Sequence, residues 1–305
     1  MIYKKVNTAN LNEFEKGLDI LEIEKSKIPA EIIGYGEISS IFKVKGFPGW
    51  IYKRLPLFET EKQAKDYAEK YMIYVGFLKK AGIILPDDFY KIIDGNSKVV
   101  LYLAQQEIEK ESLCQNRLHV QTDVENLEML EKIFLEIIKV FRFNEVHKAK
   151  TEISIDGQIS NWAIGGKDLL YFDTSTPIFK IDGLEQMDPN LILSSAPKAL
   201  VWVIKMFFLK DVMGRYYDIR LVFIDVVANL YKEQKVSLIN SALAKANKLL
   251  PEEIEKISRK EIDKYYKEDK FIWQLFLGLR RLDRWFTTKV FRKRYEFILP
   301  GNITR

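Results

Sequence analysis

Cysteine and histidine are nearly missing from this chain: Cys114 stands alone, and His119 and His147 are the only imidazoles among 305 residues. A single thiol excludes an internal disulfide and suits a reducing compartment. Neither histidine sits in a metal spacing or beside a plausible nucleophile, so both read as structural or surface residues. With no cysteine cluster either, a zinc site has no ligands to draw on. Long apolar runs are lacking too. The longest, Ala199 to Leu209, is interrupted by Lys205 and is too short to span a bilayer. The opening Met-Ile-Tyr-Lys-Lys carries no signal-peptide core. No Gly-x-Gly-x-x-Gly opens a helix after a strand, which removes the dinucleotide fingerprint. The expectation is a cytoplasmic protein.

What is present is ordinary in bulk and uneven in detail. A content of 47% hydrophobic and 30% charged residues is that of a globular chain, long enough for one large or two medium domains. The net charge is +5, yet residues 280 to 305 hold eight Lys or Arg against Asp283 and Glu296. Trp285, Phe286, Phe291, Tyr295 and Phe297 are interleaved with them. This pattern predicts a C-terminal helix with a solvated basic face, with nucleic acid or anionic lipid as the alternative partner.

The periodicity changes along the chain. Leu11, Phe14 and Leu18 predict a short opening helix within residues 11 to 25. Residues 32 to 45 predict two strands around a glycine-containing turn, and Trp50 to Leu55 a third strand stopped by Pro56. Ala64, Ala68, Tyr71, Val75 and Leu78 share one face of a helix over residues 59 to 80. A hairpin follows around Asp94-Gly-Asn-Ser97. The small sheet domain would span 1–106 and a mainly helical domain 107–305. In the latter, helices are predicted over 124–141, over 217–230, from Pro251, and again after the capping box Ser258-Arg-Lys-Glu261. Between them lies Thr151 to Asp173, read as short strands with Asp156, Asn161 and Asp173 at their rims. Two carboxylates and a carboxamide so placed can hold a divalent cation and orient a hydroxyl.

The order of these parts resembles the protein-kinase-like fold, within it the aminoglycoside phosphotransferase and choline kinase branch, over roughly residues 30 to 185. The resemblance implies an α+β, bilobal architecture. By it, Gly34, Gly36, Ser39 and Ser40 lie in the turn covering the phosphates, where glycine permits close backbone approach. Lys53 reaches the α- and β-phosphates, with Lys43 and Lys45 as competitors on the preceding strand. Glu69 holds that lysine, Glu61 being the alternative. Asp156 is the catalytic base, and Asn161 and Asp173 ligate Mg²⁺. The adenine sits by the link near Gln106. The chain departs from the pattern at Ser154, where the family has histidine, and in the run Asp173-Thr-Ser-Thr.

What the resemblance implies is transfer of the γ-phosphoryl group of ATP to a hydroxyl, the acceptor being a small molecule. The alternative is a catalytically weak, kinase-like module that binds nucleotide for regulation or scaffolding.

Overall fold

The first part of the chain forms a five-stranded antiparallel sheet in the computed structural model, whose described residues are 8–20, 22–35, 39–95, 98–147, 149–187, 214–292 and 295–298. Its strands are β1 (Ala30–Tyr35), β2 (Ser40–Val44), β3 (Trp50–Phe58), β4 (Asp88–Asp94) and β5 (Val99–Gln106), in the order β1-β2-β3-β5-β4. β3 does not stop at Pro56. It runs on to Phe58 because its ladder with β5 shifts register between Leu55 and Phe58, a bulge where a missing N–H breaks no regular pair. The opening helix α1 (Thr8–Lys16) is shorter than its apolar spacing predicts, and the chain doubles back at Gly17, whose carbonyl accepts from Lys27 N.

β3 and β5 are buried on both faces. One face packs with Leu11 and Phe14 of α1, against Phe42, Tyr52 and Tyr102. The other packs on α2 (Glu61–Lys80), through Ala64, Tyr67, Ala68, Tyr71 and Val75. A full capping box of Thr60 and Gln63 starts that helix. Further along α2, Tyr74 and Leu78 leave the sheet and enter a second core. α2 therefore belongs to both.

That second core is built from α3 (Cys114–Val120), α4 (Asp123–His147), α5 (Ile219–Lys232), α6 (Ile239–Leu249) and α7 (Arg259–Trp285), which ends in a π-turn at Phe286–Val290. Two small sheets sit among them. β6 (Thr151–Ile153) pairs with β9 (Phe179–Ile181), which pairs with β10 (Leu184–Glu185), and β7 (Trp162–Gly165) makes a hairpin with β8 (Asp168–Tyr171). Pro251 begins only a turn; the helix waits for the Ser258–Glu261 capping box. The fold is thus α+β, a five-stranded antiparallel sheet beside a larger helical body, consistent with a bilobal kinase-like fold. Among the described residues no helix is long and apolar enough to cross a membrane; Ala199 to Leu209 lies outside them.

A buried charge network ties α1 and residues 295–298 to the sheet. Arg54, 1% exposed, makes a two-pronged bond to Glu15 of α1 (2.8 and 2.7 Å) and reaches Glu296 through both its backbone carbonyl (2.8 Å) and its carboxylate (3.0 Å). Tyr102 donates to Glu15 at 2.5 Å. Burial by itself lowers the guanidinium pKa; the bond to Glu15 and the surrounding anionic oxygens reverse this and raise it. Removing one member of such a group strands the others in low dielectric. Arg54→Met is expected to cost about 3–5 kcal/mol of unfolding free energy in urea titrations. A loss under about 1 kcal/mol would show that the network contributes no more than a surface pair.

Candidate functional site

Strand alternation separates two neighbouring cations. Arg54 points to the α1 side of β3, and Lys53 to the side of α2. Lys53 is 4% exposed, yet its ammonium reaches Asp173 Oδ1 at 2.9 Å and the Phe172 carbonyl at 3.2 Å, across 120 sequence positions. Phe172 and Asp173 follow β8 directly. Gly34, Ile41 and Lys53 form one cross-strand row, so Gly34 lies on the lysine's face of the sheet. A Cβ there would stand 3.1 Å from Ile41 Cδ1, so even alanine would crowd this row.

The Asp156–Asn161 loop lies beside that pair. Asp156 Oδ1 accepts from Gln158 N (3.1 Å), and Asn161 Nδ2 donates to the Asp156 carbonyl (3.1 Å). The Asn161 carbonyl in turn accepts from Phe172 N at 3.0 Å, which joins the loop to the residue that Lys53 touches. Lys53, the Phe172 backbone, Asn161 and the Asp156 carbonyl are therefore consecutive links of one hydrogen-bonded path, from which Asp173 branches at Lys53. A Cβ on Gly157 would come to 3.0 Å from Ile137, Val222 and Val226, so the loop rests on α4 and α5 with no room for a side chain. Asn229 of α5 holds it from below, accepting from Ile159 N at 2.9 Å. Asn144 of α4 clamps Ile153 with two bonds, 2.7 and 2.8 Å.

Ser154 stands where the resemblance leads one to expect histidine. It is fully buried, its hydroxyl donates to the Tyr216 carbonyl, and its own carbonyl accepts from Tyr74 at 2.6 Å. Tyr74 is one of a row on α2. Tyr67 donates to the Ser175 carbonyl (2.8 Å), and Tyr71 donates to Asp88 (2.6 Å) while accepting from Thr174 (3.4 Å). The Thr-Ser run after Asp173 is thus fastened to α2, and Ser175 Oγ also donates to Asp173 at 2.9 Å. Burial pushes the phenols of Tyr67, Tyr71 and Tyr74 up, so all remain donors at neutral pH.

These tyrosines correct the expectation for Glu69. They occupy the inward stripe of α2, whereas Glu69 is exposed on the far side, and Glu61 is exposed and paired with Lys65 at 2.8 Å. The carboxylate on Lys53 is Asp173. A second correction concerns Ser40, which pairs with Arg54 and so turns its side chain to the face opposite Lys53. Ser39 is buried beside it at the start of β2. Gln106 closes β5 with its N–H committed to the Asp87 carbonyl at 2.8 Å. Gly36 lies outside the described residues. Lys43 is exposed and pairs with Glu107. The α2 tyrosines were missed because apolar and aromatic positions on a helix face signal only core; the hydroxyls of Tyr74 and Tyr67 reach loops 80 and 108 residues away.

Comparison with known proteins places the chain in a family. It belongs to the family described as "Family of unknown function (DUF6206)", whose model matches residues 29–284. No curated protein matches it. Among solved structures, "WaaP in complex with acyl carrier protein" is similar over 81% of this chain and 99% of its own, with a TM-score of 0.34 and 13% identity.

Asp173 lies deep in the fold while 37% of its side-chain surface stays open. Burial pushes its carboxyl up; the Lys53 charge and hydrogen bond, with hydrogen bonds from Ser175, outweigh that and hold it below the usual carboxylate range. A depressed carboxyl stabilises the fold above its ordinary titration range, and that contribution is lost as pH falls through the folded value. In Lys53→Met burial acts with less opposition, so the Asp173 carboxyl is expected to titrate higher than in the parent, measured by carbon-13 NMR. An unchanged titration would mean that the ammonium does not govern it. Tyr74→Phe leaves the buried Ser154 carbonyl without its donor and is expected to lower stability by about 1–3 kcal/mol in thermal or urea unfolding.

Proposed function

We propose that the protein is an ATP-dependent phosphotransferase that moves the γ-phosphoryl group to a hydroxyl of a small-molecule acceptor. The observation that carries this reading is the 2.9 Å contact between Lys53 and Asp173, with Asn161 and Asp156 joined to Lys53 through the backbone of Phe172. Residues 1–106 and 107–305 would act as two lobes with the nucleotide between them, in the manner of the aminoglycoside phosphotransferase and choline kinase branch. Gly34 and Ser39 would cover the phosphates, and the end of β5 at Gln106 would border the base.

The donor set suits Mg²⁺. Asp173 Oδ1 serves Lys53 and the Ser175 hydroxyl, so its second carboxylate oxygen would be the ligand atom for a cation. Asn161 uses its amide nitrogen on Asp156, which leaves its carbonyl-type oxygen as the ligand atom. Among the described residues no group of three or more His, Cys, Asp or Glu is placed to hold a metal. Two protein oxygens are enough for an ion that keeps water and phosphate in its remaining positions. When bound, Mg²⁺ neutralises phosphate charge. Lys53 would bind the α- and β-phosphates, and Asp156 would orient the acceptor hydroxyl and take its proton. Tyr67, Tyr71 and Tyr74 would keep both loops in register with β3, a positioning role.

One observation favours a second reading, a weakly catalytic nucleotide-binding module: Lys53 has no partner carboxylate on α2, since Glu69 faces outward. Thermal-shift assays separate the possibilities. ATP with Mg²⁺ at a hundredfold excess over Kd is expected to stabilise the fold by about 2.7 kcal/mol. Lys53→Ala and Asp173→Ala should weaken that binding by about tenfold or more. Asp156→Ala should retain binding and lose slow ATP hydrolysis by about a hundredfold or more. Absence of any nucleotide-dependent shift would overturn both readings; a shift without hydrolysis or transfer to any hydroxyl compound would leave the module.

A further inference from the structure

We propose that the outward face of α7 and its π-turn lies on an anionic membrane surface. The inner side of this helix is fixed to the body: Ile262 and Arg280 are buried, and Tyr266 stacks on Tyr231 of α5 at 4.5 Å. Its outer side is unlike an ordinary solvated face. Phe271 (66% exposed), Leu275, Leu282, Trp285 (53%), Phe286 and Phe291 (64%) all stand out of the fold. From Phe271 to Phe286 they fall within about 100° of arc at the α-helical period, so they form one ridge. A contiguous exposed apolar ridge of this kind marks a contact surface rather than scattered surface residues.

Charge decides what the ridge meets. The exposed charged residues from Lys264 to Arg292 are Lys264, Lys267, Arg281, Lys289 and Arg292, all basic. The acids of the same helix are turned inward or engaged. Glu261 caps the helix and pairs with Arg220, Asp263 bonds Arg259 and Tyr231, and Asp269 pairs with Lys232. Glu268 lies 3.8 Å from both Arg215 and Lys264, and Asp283 is hydrogen-bonded to Tyr295. The ridge is therefore apolar with an excess of cations, and its acids, including the partly exposed Glu268, each have a basic or hydrogen-bonding partner among the described residues.

A second copy of the chain fits poorly, because a two-fold contact would set these cations against their equivalents. Nucleic acid would reward the cations and stacked aromatics but gains nothing from Leu275 and Leu282. An anionic bilayer satisfies both: hydrocarbon takes up the apolar side chains to a depth of about 5–10 Å, and lipid phosphates meet the Lys and Arg ends. The ridge is convex, spans roughly 40 Å from Lys264 to Val290 at the α-helical rise, and needs no shaped pocket opposite it. This proposal stands apart from the phosphotransfer reading, since α7 supplies no residue to the Lys53–Asp173 site.

The test is co-sedimentation of the full-length protein with vesicles of phosphatidylcholine alone and with about one-third phosphatidylglycerol. Partition is expected to be at least about tenfold stronger on the anionic vesicles and to fall as salt rises. Phe271→Ser with Trp285→Ser and Phe286→Ser should abolish it with an unchanged circular dichroism spectrum. Lys267→Gln with Lys289→Gln should reduce the preference for anionic lipid, and this pair carries the test if the triple variant unfolds. Equal partition on both vesicles, no partition, or parent-like binding by the variants overturns the proposal. So does a dimer that the triple substitution dissolves, or retention by nucleic acid without lipid.

Discussion

Everything in the candidate site depends on one buried ammonium finding its counter-charge. Lys53 lies in a strand covered on both faces, where an uncompensated cation would cost several kcal/mol. Asp173 and the Phe172 carbonyl answer that charge from the far end of the β7–β8 hairpin. The hairpin and β3 are therefore held at a fixed separation by an electrostatic requirement rather than by apolar packing alone. Arg54, the next residue, imposes the same demand on the opposite face and is met by Glu15 and Glu296. Two consecutive cations on one strand thus recruit partners from α1, from the segment after β8 and from residues 295–298. Alternation makes this possible, because neighbours on a strand never compete for the same anion.

The row of tyrosines on α2 is the physical counterpart of the missing helix glutamate. A glutamate turned inward would bring a second buried charge and its desolvation cost. A tyrosine hydroxyl reaches as far, remains neutral, and donates one hydrogen bond worth about 0.5–1.5 kcal/mol net. Its ring fills core volume at the same time. Because Tyr67, Tyr71 and Tyr74 recur at near-helical spacing, one rigid helix contacts the Asp173 loop at Ser175 and Thr174 and the Asp156 loop at Ser154. Packing and loop placement are thereby one property of α2. Ser154 fits this scheme: its small buried hydroxyl donates to the Tyr216 carbonyl while Tyr74 donates to its backbone carbonyl, where a larger ring would need its own space.

Asp156, Asn161 and Asp173 were picked out in the sequence as polar residues at the edges of short apolar runs, and Lys53 as the mid-strand lysine after the glycine turn, in a recognisable order. The strands of the sheet, α2 and the Ser258–Glu261 capping box were legible for similar local reasons, whereas the Thr60–Gln63 box was not picked out. What was not legible is whatever depends on rotation or on distance along the chain. Glu69 and Tyr67 differ by two positions, which is about 200° of helix rotation and decides inside from outside. Ser40 and Ile41 differ by one, which on a strand reverses the face. Pro56 looked like a terminator because the bulge that accommodates it is a property of the β3–β5 pairing, not of either strand. The Arg54 network joins residues 39 and 242 positions apart, and no window along the chain contains it.

The same geometry limits how the site is able to move. If the two lobes of the proposed enzyme shifted as separate bodies, the Lys53–Asp173 contact would have to break, and so would the tyrosine bonds from α2 to Ser154 and Ser175. α2 contributes to both cores, with Ala64 to Val75 on the sheet side and Tyr74 and Leu78 on the helical side. Phe297 packs on the α2 side of the sheet and lies under the Arg280 guanidinium at 4.4 Å, adding a second strap from α7. Residues 295–298 close that strap through Glu296 on Arg54. A nucleotide bound beside Lys53, as proposed, would meet a sheet and a helical body already joined at these points. Any rearrangement that admits the proposed nucleotide would fall to the Lys53–Asp173 pair itself, where phosphate and Mg²⁺ would take the place of each partner's counter-charge.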